Sequence, residues 1–550
     1  MESTQVVIIG AGATGAGILW DLTLRGISAT LLEQGDIANG ATGRCHGLLH
    51  SGGRYAVKDT ATARDCLREN LILKATAPHC IEDIGGLSVL YPHDDPAFFD
   101  KWHRAADTAG IPTRRLSAAE TFALEPALPA NILGAFTCPD AHVDVFRLVL
   151  ANLQAAAARG AHHRTYSQVT GLQIANNRVR AVHFTNTRTG EHHQLACQIV
   201  INAAGGWAQS VAALAGLDLP IRCDKGSLLV LNHRLTSRVI NRCRQPGDGD
   251  ILVPAGPVSI LGTSSIHVPG PEKLTASLAE VDALLELGAE LVPSIAETRI
   301  LRVFSGVRAL HIPRNQDSSS GRSLSRGFAL FDHEATDNLG GFLSITGGKL
   351  TTYRLMAAQV ADCVAAKLGV SVPCTTDTVP LRPAIPRRLH RRASQLLPPP
   401  VAERLARRLG SQLAPVLASI EARPELAELV CECELVTRAE LEFVLGPANP
   451  LPAQTIADIG RRTRLGFGPC QGTFCGYKAM LAAYQTHRWS ASQAADEFSS
   501  FLHERIKGQS FVHQGQQLAQ LSLCSDLYGI DLPGAPLPEA NPPAGAHHDK

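Results

Sequence analysis

The chain has 550 residues, a formal net charge of +1 and 45% hydrophobic residues. This length suits two to four domains, the apolar content can bury large cores, and the near-neutral charge argues against a nucleic-acid binder that relies on a strong basic field. The start of the chain lacks the basic segment of a signal peptide, so we expect the 14 cysteines to be reduced, as in a cytosolic protein.

The first 33 residues have the pattern of a βαβ unit. Residues 6–9 and 29–32 are apolar runs that suit buried strands, and a G-x-G-x-x-G sequence and an amphipathic segment lie between them. In such a unit the glycines permit a tight turn and the close approach of a pyrophosphate, while an acid at the end of the second strand binds an adenosine ribose. The predicted dinucleotide contacts are Gly10, Gly12, Ala13, Thr14, Gly15 and Glu33. A tight turn without a ligand is the alternative.

A stretch rich in Gly, Ser, Thr and His follows, and residues 40–55 read GATGRCHGLLHSGGRY. Such a stretch can lie flat against a flavin and its diphosphate, which favours FAD. It adds the predicted cofactor contacts Gly40, Ala41, Thr42, Gly43, Leu48, His50, Ser51 and Gly52. The motif resembles that of the FAD-dependent glycerol-3-phosphate dehydrogenases, most of all the anaerobic three-subunit branch of the family. The resemblance extends over nearly the whole chain.

Two later strand–glycine–helix corners are similar to family motifs. Residues 199–207 read IVINAAGGW, and the resembling flavoproteins use such a turn to return the chain to the FAD domain, which implies that Gly205 approaches the cofactor. This corner also explains the uncharged stretch 194–217 without a membrane span. Residues 341–354 carry the family's flavin motif, GGKLxTYR. It adds Gly347, Gly348, Lys349, Leu350 and Thr351 to the predicted contacts.

Two local pairs of cysteines lie further along the chain. Cys431 and Cys433 form one pair, and Cys470 and Cys475 form the other. Soft thiolates of this kind suit an iron–sulfur cluster or zinc. The second pair lies in RRTRLGFGPCQGTFCG, which resembles the helical [2Fe-2S] domain of bacterioferritin-associated ferredoxins. The resemblance implies a [2Fe-2S] cluster on all four cysteines, while zinc and the absence of a metal stay open.

The predicted fold class is α/β: a Rossmann-like FAD-binding domain with an inserted, mostly antiparallel β substrate domain, plus a small helical C-terminal [2Fe-2S] domain. Short β-like runs between residues 218 and 330 indicate the inserted domain. The predicted boundaries are 1–217 and 331–379 for the FAD-binding domain, 218–330 for the substrate domain, 380–425 for a helical linker, 426–485 for the [2Fe-2S] domain, 486–528 for a helical region and 529–550 for a disordered tail.

A phosphorylated substrate needs cationic anchors, and arginine offers planar, bidentate hydrogen bonds to phosphate. The family motifs imply substrate contacts at Arg54, Tyr55, Arg308, Arg326 and Lys349. Related single-subunit enzymes have KGSH where this chain has residues 225–228, KGSL, so the histidine of that motif is missing. The catalytic candidates are therefore His50 and Lys349 as bases, which the sequence does not separate, together with Arg308.

The resemblance implies the catalytic subunit of a quinone-linked dehydrogenase that oxidises sn-glycerol 3-phosphate to dihydroxyacetone phosphate with FAD. Electrons would leave through the [2Fe-2S] cluster to partner subunits B and C and then to membrane quinone. The protein would be cytoplasmic and peripheral on the inner face of the membrane, without a nucleic-acid partner. The alternatives are another FAD/[2Fe-2S] dehydrogenase, for an amino acid, an opine or a 2-hydroxy acid, and a non-catalytic electron-transfer subunit.

Overall fold

The computed structural model of the protein describes residues 2–272, 274–312, 327–513 and 515–528. The predicted anchor Arg326 and the predicted tail 529–550 lie outside the described residues. The first strands are β1 (Glu2–Ser3), β2 (Val6–Ile9), β3 (Ala29–Leu32), β4 (Leu48–Leu49), β5 (Ile81–Glu82), β6 (Gly86–Leu90), β7 (Arg115–Ser117), β8 (Gly134–Cys138), β9 (Ala141–Val143), β10 (His162–Arg164), β11 (Ser167–Ala175), β12 (Arg178–Asn186), β13 (His192–Ala196) and β14 (Ile199–Asn202). The helices among them are α1 (Ala13–Leu24), α2 (Thr60–Thr76), α3 (Pro96–Ala109), α4 (Ala118–Leu124), α5 (Val145–Ala157) and α6 (Ala208–Ala213).

The remaining elements fall into a β-rich stretch and a helical stretch. The strands are β15 (Ile221–Leu231), β16 (Val239–Arg242), β17 (Ile251–Ala255), β18 (Val258–Gly262), β19 (Ile266–Val268), β20 (Ile300–His311), β21 (Phe328–Asp332), β22 (Phe342–Gly347), β23 (Leu429–Cys431) and β24 (Val436–Thr437). The helices are α7 (Leu278–Leu291), α8 (His333–Asp337), α9 (Tyr353–Leu368), α10 (Arg387–Leu396), α11 (Pro399–Leu409), α12 (Leu413–Ala422), α13 (Arg438–Leu445), α14 (Ile456–Thr463), α15 (Cys475–Gln485), α16 (Ala491–Ile506) and α17 (Gly515–Tyr528).

A six-stranded sheet with the order β10-β3-β2-β14-β22-β21 forms the nucleotide-binding core. Its strands are parallel except β21. Val6 and Ile8 of β2 pack into a core shared with α1, α5 and α9, while Val7 and Ile9 pack against residues of the small sheet β1-β13-β12-β11. Both faces of β2 are covered, which is why its sequence is continuously apolar. The predicted βαβ unit at the start of the chain is confirmed as β2, α1 and β3.

The uncharged stretch 194–217 forms the end of β13, the strand β14, a glycine turn and α6, as the sequence predicts. Within the described residues, no helix combines the length and the apolar character that crossing a bilayer requires.

A larger sheet covers one side of this core. Its order is β19-β15-β18-β17-β16-β6-β8-β7, and β20 also pairs with β15. It is antiparallel except where β16 runs parallel to β6. The sheet combines strands from residues 221–311 with strands from residues 86–138, and α7 packs on its buried face. The register of β15 with β20 sets Asp224 opposite Arg308.

The C-terminal part is helical and docks on the nucleotide-binding core. α10, α11 and α12 share one apolar cluster, and α13 to α16 share another that encloses the buried Cys431 and Cys475. Arg462 of α14 is joined to Asp36, which follows β3, by an ion pair of 2.8 Å whose two side chains are almost completely buried. The four-cysteine region is therefore held against the segment that follows the predicted ribose-binding acid.

Candidate active site

A cavity of about 890 Å³ lies between the parallel sheet and the larger sheet, and both contribute to its walls. At one end the chain turns from β2 into α1. Gly10 has a φ of +111°, and a Cβ there would stand 2.7 Å from the carbonyl oxygen of Ala203. Gly12 is the N-cap residue of α1 and has no side chain to cap the helix. The backbone N–H groups of the first helical turn therefore face the cavity. This is the arrangement in which a helix N-terminus binds a phosphate.

Glu33 ends β3 beside this turn and lines the cavity. Its carboxylate accepts hydrogen bonds from the backbone N–H of Ala11 at 2.8 Å and of Gly35 at 2.9 Å. Burial raises the pKa of Glu33 above its usual value, although these hydrogen bonds oppose the rise. Glu33 therefore supports the glycine turn as well as occupying the predicted ribose position.

Most of the predicted cofactor contacts line the cavity. They are Gly10, Gly12, Ala13, Thr14, Glu33, Gly40, Ala41, Thr42, Leu48, His50, Gly205, Gly347, Gly348, Lys349, Leu350 and Thr351. Two hydrogen bonds join the three motifs that supply them: the N–H of Ala13 donates to Oγ1 of Thr42 at 3.1 Å, and the N–H of His50 donates to Oγ1 of Thr351 at 3.0 Å.

Four predicted contacts do not line the cavity and shape its walls instead. A Cβ at Gly15 would stand 1.9 Å from the carbonyl oxygen of Gly10, which shows how closely α1 approaches the preceding turn. Gly43 and Gly52 are equally confined by backbone, with oxygens 2.2 and 2.3 Å from the added Cβ. The N–H of Ser51 donates to Oδ1 of the buried Asp140 at 2.6 Å, which anchors the loop after His50.

Three predicted residues of the cavity wall lie close to one another. The Nζ of Lys349 lies 4.5 Å from the centre of the Tyr55 ring, a cation–π contact, and the His50 ring lies 5.6 Å from the same ring. An imidazole, an aromatic ring and an ammonium group therefore face one space.

Both predicted arginines of the described chain also line the cavity, and each is held by an acid. Arg54 is paired with Asp250 at 3.1 Å. Arg308 donates to Oδ2 of Asp224 at 2.7 Å and to the carbonyl oxygen of Ser264 at 2.8 Å. These contacts fix both guanidinium groups in position.

The environment of His50 keeps its imidazole neutral at neutral pH. Burial lowers the pKa of His50 to about 4, and the positive charges of Arg54 and Lys349 act in the same direction, while Asp140 opposes them. A neutral imidazole can accept a proton.

Sequence reasoning missed some cavity residues. His46 and Trp207 lie within predicted motifs and could have been found from them, whereas Thr263 comes from the end of β18 and has no local signal. Thr263 is placed by Arg308, whose Nη2 donates to its Oγ1 at 2.5 Å.

The four predicted cluster cysteines lie together. Cys431 and Cys475 are buried in the apolar cluster of α13 to α16, and the partly buried Cys433 and Cys470 pack against the same cluster. Among the residues that the structure describes, no group of three or more His, Cys, Asp or Glu side chains has an arrangement that could hold a metal ion.

The cavity fits FAD. The glycine turn and the N-terminus of α1, which has no side-chain cap, suit a diphosphate. Glu33 lies where a ribose hydroxyl would be bound. Gly205 has a φ of +57°, and a Cβ there would meet no atom within 4 Å, so this wall is open to a ligand. The space left by these glycines is what a flat, extended dinucleotide requires.

The fold and this cavity define an FAD-dependent oxidoreductase. Residues 5–354 match the family model described as FAD dependent oxidoreductase, and the chain belongs to this family.

Two relatives of the chain carry the name of a specific enzyme. The chain is 43% identical over 524 residues to the A subunit of the anaerobic glycerol-3-phosphate dehydrogenase of Escherichia coli K12, covering 94% of this chain and 95% of that protein. It is 38% identical over 542 residues to the A1 subunit of the same enzyme from Haloferax volcanii, covering 96% and 91%.

A solved structure agrees on the fold. The glycerol-3-phosphate dehydrogenase of Bacillus halodurans, complexed with FAD, matches with a TM-score of 0.72 and 23% identity over 92% of this chain and 95% of that one.

Proposed function

We propose that this chain is the catalytic subunit of an FAD-dependent glycerol-3-phosphate dehydrogenase, which oxidises sn-glycerol 3-phosphate to dihydroxyacetone phosphate. The observation that carries the proposal is the polar end of the FAD-sized cavity, where His50 and Lys349 face one space within reach of fixed arginines. The 43% identity over 94% of the chain to an enzyme named for this substrate supports the same reaction.

The cations would bind the phosphate of the substrate. Lys349 carries a compact ammonium group, while Arg54 and Arg308 are planar donors held by Asp250 and Asp224. Fixed donors lose little conformational freedom when they bind, so they orient the substrate effectively. We assign Arg326 to the same task from its motif alone.

His50 would take the proton from the hydroxyl group that is oxidised. Its neutral imidazole is a better proton acceptor than Lys349, because an ammonium over an aromatic ring is in a favourable contact as a cation. FAD, when bound, supplies the acceptor for the hydride. Lys349 is the second candidate for the base.

We infer further that Cys431, Cys433, Cys470 and Cys475 hold a [2Fe-2S] cluster in a C-terminal domain with the predicted boundaries. The apolar cluster that the four side chains share supports the proposal because it brings both cysteine pairs to one place. The donor set also suits zinc, and iron and sulfide analysis separates the two.

Partner subunits B and C and membrane quinone would receive the electrons, with this chain peripheral on the cytoplasmic face of the membrane. The names of the relatives, each of which denotes one lettered subunit of an enzyme, support the existence of partners. An exposed apolar row also supports it: Phe474, Tyr477, Leu481 and Tyr484 recur at helical spacing on and just before α15, with exposed fractions of 59, 38, 37 and 47%. Rows of this kind mark protein–protein contacts.

The test is anaerobic addition of sn-glycerol 3-phosphate to the purified, FAD-loaded protein. We expect the flavin absorption bands to bleach, and glycerol, which lacks the phosphate, to leave them unchanged at the same concentration. Persistence of the bands in protein that retains FAD would exclude this substrate. Bleaching by an amino acid or a 2-hydroxy acid instead would assign the chain to another flavin dehydrogenase.

A further inference from the structure

A buried network of polar side chains lies behind the cavity wall that carries Arg308. In β15, Gly226 lines the cavity, so its neighbours Lys225 and Ser227 point to the opposite face of the strand. Both donate to the carboxylate of Glu280, a residue of α7 that is only 6% exposed. The Nζ of Lys225 donates to Oε2 at 2.8 Å, and the hydroxyl of Ser227 donates to Oε1 at 2.8 Å.

The loop that follows β18 joins this network to Arg308. The hydroxyl of Ser264 donates to Oε1 of Glu280 at 2.8 Å. The carbonyl oxygen of the same residue accepts a hydrogen bond from Nη2 of Arg308 at 2.8 Å, and Oγ1 of the preceding Thr263 accepts from the same nitrogen at 2.5 Å. Ser264 therefore touches the arginine through its backbone and the buried glutamate through its side chain.

The guanidinium group of Arg308 is held by two separate parts of the structure. Nη1 donates to Asp224 of β15 at 2.7 Å, whereas Nη2 donates to the loop after β18. A planar group that is held at one nitrogen can turn about that contact, so the loop fixes the plane in which Arg308 presents its donors. Glu280 gives the loop a firm support, because its Oε2 also accepts the N–H of Ser277 at the start of α7, at 2.9 Å.

The network requires Glu280 as a carboxylate. Burial acts to raise the pKa of Glu280, but the hydrogen bonds that it accepts from Lys225 and from three serines outweigh burial and hold this pKa at about 2. Hydroxyl groups donate to Oε1, and an ammonium group and a backbone N–H donate to Oε2. Whichever way a glutamine amide turned in this place, its nitrogen would meet groups that donate to Glu280.

We propose that Glu280 is a positioning residue for the phosphate of the substrate: through the hydroxyl of Ser264, it fixes the guanidinium group of Arg308. This inference deepens the proposed function and rests on its assignment of Arg308 as a phosphate contact. Among the described residues that line the cavity, neither Glu280 nor Ser264 is present, so both act through Arg308. A displaced guanidinium group should weaken substrate binding more than it slows the chemical step.

The experiment measures the binding of inorganic phosphate to the FAD-loaded, full-length protein by isothermal titration calorimetry. We expect R308Q and E280Q each to raise the dissociation constant about tenfold, because an oriented, charged donor is lost or displaced. The double variant E280Q/R308Q should bind phosphate as R308Q does, because Glu280 acts through Arg308. E286Q makes the same change at an exposed residue of the same helix and should bind phosphate like the wild type.

A second variant and a second measurement complete the design. S264A removes the connecting hydroxyl and leaves the ion pair of Lys225 with Glu280 in place, so it decides the matter if E280Q does not fold. It should weaken phosphate binding in the same direction. In anaerobic stopped-flow experiments with glycerol phosphate, E280Q should raise the half-saturating concentration about tenfold and change the limiting rate of flavin bleaching by less than about twofold. A purely structural defect would lower the FAD content or the limiting rate instead.

The inference is overturned if E280Q, or S264A in its place, binds phosphate like the wild type, or if E286Q weakens binding equally. It is also overturned if the effects of E280Q and R308Q add, or if phosphate binding by the wild type does not depend on Arg308. Failure of glycerol phosphate to bleach the flavin would refute the proposed substrate, while a phosphate site that depends on both Arg308 and Glu280 would stand.

Discussion

His50 shows how a single residue acquires a chemical role from its surroundings. The sequence places it in a loop beside the predicted flavin and leaves Lys349 as an equal candidate for the base. The structure gives the two groups different environments: burial lowers the pKa of His50 to about 4, and the Nζ of Lys349 lies over the ring of Tyr55. The physical difference is the environment of each group, which depends on residues distant in the chain.

We therefore expect H50N to lower the rate constant of flavin reduction by glycerol phosphate by about 10²–10⁴-fold, the usual contribution of a general base. K349M is expected to raise the substrate concentration needed for half-maximal rate, with a smaller effect on the limiting rate. Anaerobic stopped-flow measurement of flavin bleaching separates the two constants. The exposed His93 provides a control, and H93N should behave as the wild type.

The opposite pattern, with a normal limiting rate in H50N and a collapse of that rate in K349M, would assign the base to Lys349. The pH dependence of the rate of flavin reduction provides a second test of the base. With a pKa of about 4 for His50, its protonation should not limit flavin reduction between pH 6 and pH 8.

At the scale of elements, α14 joins the four-cysteine region to the nucleotide-binding core. Thr455 and Asp458 form a capping box at its start, and Arg461 and Arg462 in its last turn reach Asp36 after β3. Burial acts to raise the pKa of Asp36, but the two guanidinium groups outweigh it and hold that pKa below its usual value. The helix is thus fixed by a buried ionic contact that spans more than four hundred residues of sequence.

Breaking this contact should destabilise the docked arrangement. We expect D36N to cost about 3–5 kcal/mol, because it leaves Arg462 buried without its anion. Urea unfolding followed by circular dichroism measures the loss. E504Q, which breaks the exposed pair of Glu504 with Lys507, is the matched control and should give no measurable change. Equal unfolding midpoints for D36N and the wild type would show that the ion pair does not hold α14 in place.

At the scale of the whole molecule, several partly or fully buried histidines make stability depend on pH. Burial lowers the pKa of His46, His79 and His142 to about 3 and that of His50 and His163 to about 4. In the unfolded chain these groups return to a pKa near 6.5. Four carboxyl groups whose pKa is raised by burial act in the opposite sense, and the five histidines outnumber them: Asp21, Glu33, Glu440 and Asp458, the last with a pKa of about 6.

The unfolded state therefore binds more protons than the folded state between pH 6.5 and about 4, so stability should fall as the pH drops through this range. Each histidine contributes up to ~1.4 kcal/mol per pH unit. Urea midpoints at pH 7.5, 6.5 and 5.5 measure the trend, and H79N should reduce its slope while H93N leaves it unchanged. A midpoint that stays constant down to pH 5.5 would contradict the prediction.

The sequence by itself determined the local units of this protein. The glycine turn between β2 and α1 and the corner before α9 could be read directly, because a tight turn, a buried strand and a helix start each leave a signal within a few residues. The same local signals identified a set of residues that line the cavity, since the three predicted dinucleotide-binding motifs are each continuous in sequence.

Only the tertiary structure decided which distant segments meet. The larger sheet draws β6, β7 and β8 from residues 86–138 to strands beyond residue 220, and no local pattern specifies a pairing such as that of β6 with β16. Thr263 and the neutral state of His50 belong to this second group. Each depends on burial and on charges brought together from far along the chain, and those are properties of packing rather than of any one stretch of sequence.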